Sequence, residues 1–435
     1  MGRYVRQSTI YNLQSTIYNQ NWYDPMPELF QVVTIAEASA RLQTYLSPLA
    51  RVEQVDLHAA LDRVLAAPLY APTDLPAFPR STMDGFAVRA ADTYDASESL
   101  PAYLHLVGEI AMGRQADLVV GPGQAARIHT GAMLPPGADA VVMVEYTQTL
   151  DATTLEVVRS AAVGEHIIAI GDDVRSGQVI FPQGHRLRPQ DLGGLAGLGL
   201  TSVPLVARPR VAILASGDEV VPADQTPGPG QVRDINSYTL AALVQRYGGE
   251  PLLIGIAPDE AATLQHMAHA AFAQADLLIV SAGSSVSTRD MAAEIIASLG
   301  TPGILVHGVA IQPGKPTIIA FAEGRPIFGL PGNPVSTMVT FELFVAPTLL
   351  QLQATPPHPP RTTPARLTKN IASKTGREDL VPVRLLQREA EAWAEPVFGK
   401  SNLIYTMIRA DGLVRVPLDQ SGLYAGDHVL IHMFT

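Results

Sequence analysis

The apolar positions change rhythm along the chain. From Arg210 onward, unbroken apolar runs alternate with stretches whose apolar residues recur every three or four positions. Val211–Ala215, Leu252–Ile256 and Leu277–Ser281 are predicted as buried strands. Ser237–Tyr247, Glu260–Ala275 and Asp290–Leu299 are predicted as helices, the first closed by Gly248-Gly249 and the last by Gly300. This alternation predicts a doubly wound α/β domain with a parallel sheet. Upstream, Ile35, Ala38, Leu42, Tyr45, Leu46 and Leu49 share one face of a helix over 34–49, and Thr34 with Glu37 forms a capping box. Asp56–Leu65 reads as a second helix. Residues 103–170 carry short Val/Ile runs between glycines and prolines and predict a β-rich domain. After a stiff linker, Pro356-Pro357-His358-Pro359-Pro360, the short strands of 365–435 predict a small β-barrel.

Ligands of doubly wound sheets bind at the carboxyl ends of the strands. Those ends carry Ser216-Gly217-Asp218-Glu219, then Pro258-Asp259, then Ser281-Ala282-Gly283-Ser284-Ser285 with Asp290 close behind. Two further turns, Pro313-Gly314-Lys315-Pro316 and Pro331-Gly332-Asn333-Pro334, bracket two apolar runs and close the same rim. Proline fixes φ and withholds a donor, while glycine lets the backbone approach a ligand. The second turn runs into an apolar helical pattern, so backbone N–H groups are expected to point out of that helix start toward an anion. Lys315 adds a mobile positive charge. Tight surface turns are the plainer alternative.

Small-residue loops suit phosphate oxygens, and the carboxylates of Glu219, Asp259 and Asp290 suit Mg²⁺, which binds through one or two acidic groups plus substrate phosphates. Asp259 and Asp290 could equally cap helices. Taken together at one edge, these features predict a phosphorylated ligand with a hard cation.

Composition narrows the classes. A chain of 435 residues exceeds one core, so two to four domains are expected. The absence of cysteine excludes disulfides, thiolate metal sites and a cysteine nucleophile. A net charge of −11 argues against nucleic acid as the main partner. No apolar run is expected to reach membrane-spanning length, and the N-terminus lacks the order of a signal peptide, so a cytoplasmic protein is expected. Gln7–Asn12 recurs as Gln14–Asn19 without continuing, which predicts a disordered leader over 1–30.

The motifs, taken in order, resemble the MoeA family of molybdopterin molybdenumtransferases, related to the E domain of gephyrin. They are Ser81–Ala87, Arg127–Ala132, Gly171–Asp173, Leu214–Glu219, Gly283–Asp290, Pro313–Pro316, Gly329–Ser336 and Ala410–Leu413. The resemblance runs from about residue 34 to the C-terminus. It implies an elongated homodimer of multidomain chains, α/β plus β. The expected parts are an N-terminal dimerisation domain from 31–75 and 171–205, a β-rich insertion at 76–170, a molybdopterin-binding α/β domain at 206–354 and a C-terminal barrel at 361–435.

The family takes adenylylated molybdopterin and molybdate and releases AMP. The resemblance implies that Glu219, Asp259 and Asp290 surround the metal and molybdate, while Asp84, Thr130 and Asp173 come from the partner's face. Ser216, Gly217, Asp218, Ser281, Gly283, Ser284, Ser285, Gly314, Lys315, Pro331, Gly332, Asn333, Pro334 and Ser401 are the implied substrate-binding residues. A molybdopterin adenylyltransferase and molybdoenzymes are the implied protein partners. Three positions depart from the family pattern: Gln312 replaces a lysine, Ile168-Ala169-Ile170 replaces a basic run, and Asp172 replaces a glutamate. The loss of positive charge leaves open a pterin- or nucleotide-binding paralogue without efficient insertion, and the likeness to gephyrin's E domain leaves open a scaffold.

Overall fold

The computed structural model describes residues 32–283, 286–356, 361–388 and 391–434, the side chains of 286–289 excepted. The leader, the linker residues 357–360, Ser284 and Ser285 lie outside the described residues.

The alternation after Arg210 builds a six-stranded sheet. Its spatial order is Glu250–Ala257, Arg210–Ser216, Leu277–Ala282, Arg325–Pro331, Ile318–Ala322, Pro302–His307. The first four strands are parallel, as predicted. Ile318–Ala322 alone is reversed, antiparallel to both Arg325–Pro331 and Pro302–His307, which corrects the expectation of a parallel sheet. The reason is local. Glu323 (φ 49°) and Gly324 (φ 78°) form a two-residue left-handed turn, and only antiparallel strands can be joined so briefly.

Side chains alternate across the central strands, so both sheet faces are covered. Val211, Ile213 and Ile279 pack in one cluster with Leu240, Phe341 and Leu349; Ala212, Leu214 and Leu278 pack in another with Leu264, Ala268 and Ile296. The helical run Pro334–Leu352 is 19 residues long with mean hydropathy 1.4, so one apolar stretch does reach membrane-spanning length, contrary to expectation. Phe341, Phe344 and Leu349 are nonetheless buried against the sheet, as in a helix apolar on all sides that fills a core.

The first helix is shorter than predicted, Ile35–Gln43, and its capping box is formed: the Glu37 N–H donates to Thr34 Oγ1 at 3.2 Å and the Thr34 N–H to Glu37 Oε2 at 2.9 Å. Ala38 and Leu42 join the α/β core, so this helix packs with that domain rather than with 171–205. The second predicted helix does not form. Only Leu57–Ala59 makes a short 3-10 turn, because Val64 and Leu65 are drawn into bridges with Arg186 and Leu205. Tertiary pairing overrides local propensity there.

Those bridges belong to a small domain in which Val52–Asp56 pairs with Ser202–Val206 and Leu69–Tyr70 with Val179–Phe181. Asp191 anchors it, almost fully buried. It accepts hydrogen bonds from Arg188 Nη2 (2.9 Å) and His185 Nε2 (2.7 Å). Burial pushes its pKa up, but the bonds from Arg188 and His185 outweigh burial and hold it at about 2. Because the folded value is depressed, the stabilisation is present above the ordinary value of 3.8 and is lost as pH falls through about 2. Asp191→Asn is expected to destabilise the protein by about 1–3 kcal/mol at neutral pH, by leaving buried donors poorly matched. Urea unfolding at neutral and acidic pH should show the deficit shrinking toward low pH.

Between the halves of this domain, Ala140–Met143, Gly85–Val88, Gln124–Ile128, Ala102–Glu109, Thr154–Val157 and Thr147–Thr149 form the β-rich insertion as one sheet. At the C-terminus, Glu378–Arg388 pairs with both Glu391–Pro396 and Gly412–Val416, which closes a five-stranded barrel. Ile311–Gln312 leaves the α/β domain to pair with Glu378–Asp379 at the barrel's edge. That pairing places the Pro313–Pro316 turn at the junction of the two domains.

Candidate active site

The junction opens into a cleft of about 1100 Å³. Gln312, Gly314 and Lys315 line it from the α/β side; Lys374, Arg377, Lys400 and Ser401 line it from the barrel. The turn that presents Lys315 requires glycine. Gly314 has φ 111°, and a Cβ there would lie 2.5 Å from Thr340 Cγ2. Arg377 is oriented by Asp379, whose Oδ1 accepts from Nε at 2.9 Å. Gln312 therefore stands beside positive charge supplied by the C-terminal domain, Lys400 included. The helix start differs from expectation. The Val335 N–H donates to the Ser401 carbonyl at 3.0 Å, so it serves the domain contact instead of an anion.

A second cleft, of about 330 Å³, opens at the carboxyl ends of the central strands. It gathers Ser216, Glu219, Ser281, Gly283, Gly332, Asn333 and Pro334, and it shares Asn333 and Asn402 with the first cleft. Gly332 sits where two parallel strands end side by side, and a Cβ on it would lie 2.7 Å from the Ala282 carbonyl oxygen. Gly332→Ala is expected to cost about 1–3 kcal/mol by overpacking, seen as a lower thermal midpoint, and to distort this cleft.

Sequence reading missed Asn236. This residue is 8% exposed and lines the second cleft. Its Nδ2 donates to Ser281 Oγ and to the Gly332 carbonyl, both at 2.9 Å, tying two strand ends together. Its Oδ1 accepts no hydrogen bond among the described residues. A buried acceptor without a partner beside a cleft marks a place for a ligand's donor. The only sequence signal was its position at the start of a helix after a strand.

Asp259 is held by Ser216, whose hydroxyl donates to Oδ1 at 2.9 Å, and its own N–H donates to Asp218 Oδ1 at 3.0 Å. Gly217 and Asp218 face a third hollow of about 540 Å³ beside Tyr238. Asp290 lies exposed within the helix Val286–Ser298, which starts four residues before it; it caps no helix and lines none of these clefts. Among the described residues, no three Asp, Glu or His side chains converge as a ready-made metal cage.

Asp84 and Thr130 meet in the β-rich insertion. Asp84 Oδ1 accepts from the Thr130 N–H at 2.8 Å and from Oγ1 at 3.3 Å. The Thr130 N–H bond is the main cause that lowers the Asp84 pKa. Asp173 lies exposed beyond, its N–H on the Leu75 carbonyl. None of the three lines any of the clefts. Ile168, where a basic residue was missed, pairs across strands with Arg80, so a guanidinium belongs to that ribbon after all.

Comparison with known proteins shows the family of the chain. Residues 33–199 match the MoeA N-terminal region (domain I and II), 212–351 a probable molybdopterin binding domain, and 364–434 the MoeA C-terminal region (domain IV). A molybdopterin molybdenumtransferase from Nostoc sp. is 38% identical over 333 residues, 76% of this chain and 75% of that protein. Another, from Bacillus subtilis, is 34% identical over 384 residues, 87% of this chain and 89% of that protein. Two crystal structures of a molybdopterin biosynthesis MoeA protein from Pyrococcus horikoshii superpose with TM-scores of 0.82 and 0.80, at 34% and 29% identity, over 93% of this chain and 100% of theirs. The chain belongs to the MoeA family, the molybdopterin molybdenumtransferases.

Proposed function

We propose that the chain inserts molybdenum from molybdate into adenylylated molybdopterin and releases AMP. The observation that carries this reading is the joining of a cationic cleft to a polar one through Asn333 and Asn402. Lys315, Lys374, Arg377 and Lys400 offer the positive charge that an oxyanion and a pyrophosphate need, and Ser401 adds a hydroxyl. Ser216, Asn236 and Ser281 offer the polar contacts that orient a heterocyclic substrate.

Mg²⁺ is part of the proposal. Glu219 lines the second cleft and Asp259 is oriented beside Ser216, a donor set that fits a cation completed by substrate oxygens rather than an all-protein cage. Those two residues would hold it. When bound, Mg²⁺ would neutralise charge on the pyrophosphate. The chain is proposed to work in the cytoplasm as a homodimer. That Asp84, Thr130 and Asp173 line no cleft in their own chain supports their completing the site of a second copy.

Equilibrium dialysis with molybdate tests the oxyanion part. One saturable site per chain, weakened by Arg377→Ala, is expected; binding that never saturates, or that ignores Arg377, contradicts it.

A further inference from the structure

Asp84 has a neighbour that the reading above does not use. His129 stands at the end of the strand Gln124–Ile128, between two carboxylates. On one side its Nε2–H donates to Glu109 Oε1 at 2.6 Å; on the other, Nδ1 faces Asp84 Oδ1 at 3.7 Å. Glu109 comes from the neighbouring parallel strand, where it is paired with Arg127. Asp84 is fixed independently by the Thr130 N–H and hydroxyl.

We propose that His129, anchored by Glu109, is the charge partner of Asp84, and that its protonation sets the charge of the face that Asp84 presents to an anionic substrate. The inference rests on the reading in which Asp84 faces adenylylated molybdopterin. The geometry gives two states. With a neutral ring, the Nε2–H remains on Glu109 and the Nδ1 lone pair faces the Asp84 carboxylate, which repels it. With a protonated ring, Nδ1 carries an N–H and attracts the same oxygen. The side chains of Glu109, His129 and Asp84 then sum to one negative charge instead of two. Histidine is the side chain whose charge ordinarily changes between about pH 5 and 8. The nearby charges are Glu109 across the strand pair, Asp84 from its loop, and Arg127 on His129's own strand, which acts on Glu109. Both carboxylates have lowered pKa values in which His129 takes part, as the main cause for Glu109 and a lesser one for Asp84.

The first test needs no turnover. The His129 C2–H resonance, identified by its loss in His129→Asn, is titrated by NMR in the wild-type protein and in Asp84→Asn. Removing the facing carboxylate should lower the midpoint; identical midpoints overturn the proposal. The second test follows AMP release from adenylylated molybdopterin against pH. Wild-type KM should rise roughly fivefold as His129 loses its proton, the size an exposed charge pair supports, with kcat little changed. His129→Asn should hold the high KM at every pH and His129→Arg the low one. A wild-type KM that ignores pH, or an arginine variant that behaves like the asparagine variant, overturns the proposal. A protein that releases no AMP at any pH refutes the functional reading instead, and the titration then decides the coupling alone.

Discussion

Asp259→Asn is expected to lower kcat for molybdate-dependent AMP release by about a thousandfold, ~4 kcal/mol of activation free energy. Asparagine keeps the size of the side chain and can still accept the Ser216 hydroxyl bond at Oδ1. It removes only the negative charge, which in the proposed mechanism holds a cation against the pyrophosphate, and losing such a preorganised electrostatic contact costs hundreds- to a thousandfold. Thermal unfolding should be nearly unchanged, so a loss of rate separates the electrostatic role from a structural one. A variant that turned over normally would remove Asp259 from the cation's surroundings.

Lys315→Met is expected to weaken productive binding by about a hundredfold, near 2.7 kcal/mol. Lys315 sits on a turn whose conformation depends on Gly314, so its cation is presented to the cleft by a rigid support. Gln312→Lys, by contrast, should raise turnover by less than about threefold. From the sequence alone, this substitution is expected to repair a missing charge unless another cation, Arg289 or Lys400, already occupies the space. In the structure, Lys374, Arg377 and Lys400 already line the same cleft, and one more exposed cation there adds little. Steady-state KM and kcat for the two variants distinguish the cases: a large gain from Gln312→Lys would mean that the barrel's cations do not reach the substrate.

The α/β domain was legible because its strands are buried on both faces and its helices are amphipathic, so the pattern alone located Val211–Ala215 and Leu277–Ser281 to within a residue or so. The turns that line the clefts were legible because Gly and Pro mark them. What stayed hidden depended on contacts distant along the chain. The pairing that unravelled Asp56–Leu65 and the Ser401 carbonyl on Val335 both arise from tertiary neighbours. Asn236 was hidden for a different reason. An asparagine at a helix start normally looks like a cap, and only its burial and its unpartnered Oδ1 distinguish it.

The function itself is most directly tested by AMP release from adenylylated molybdopterin, followed with and without molybdate. Slow release is expected without molybdate and fast, saturable release with it, one AMP for each molybdenum transferred. Nucleotide that binds but is released at the same rate in both conditions would contradict insertion and leave a binding paralogue in its place.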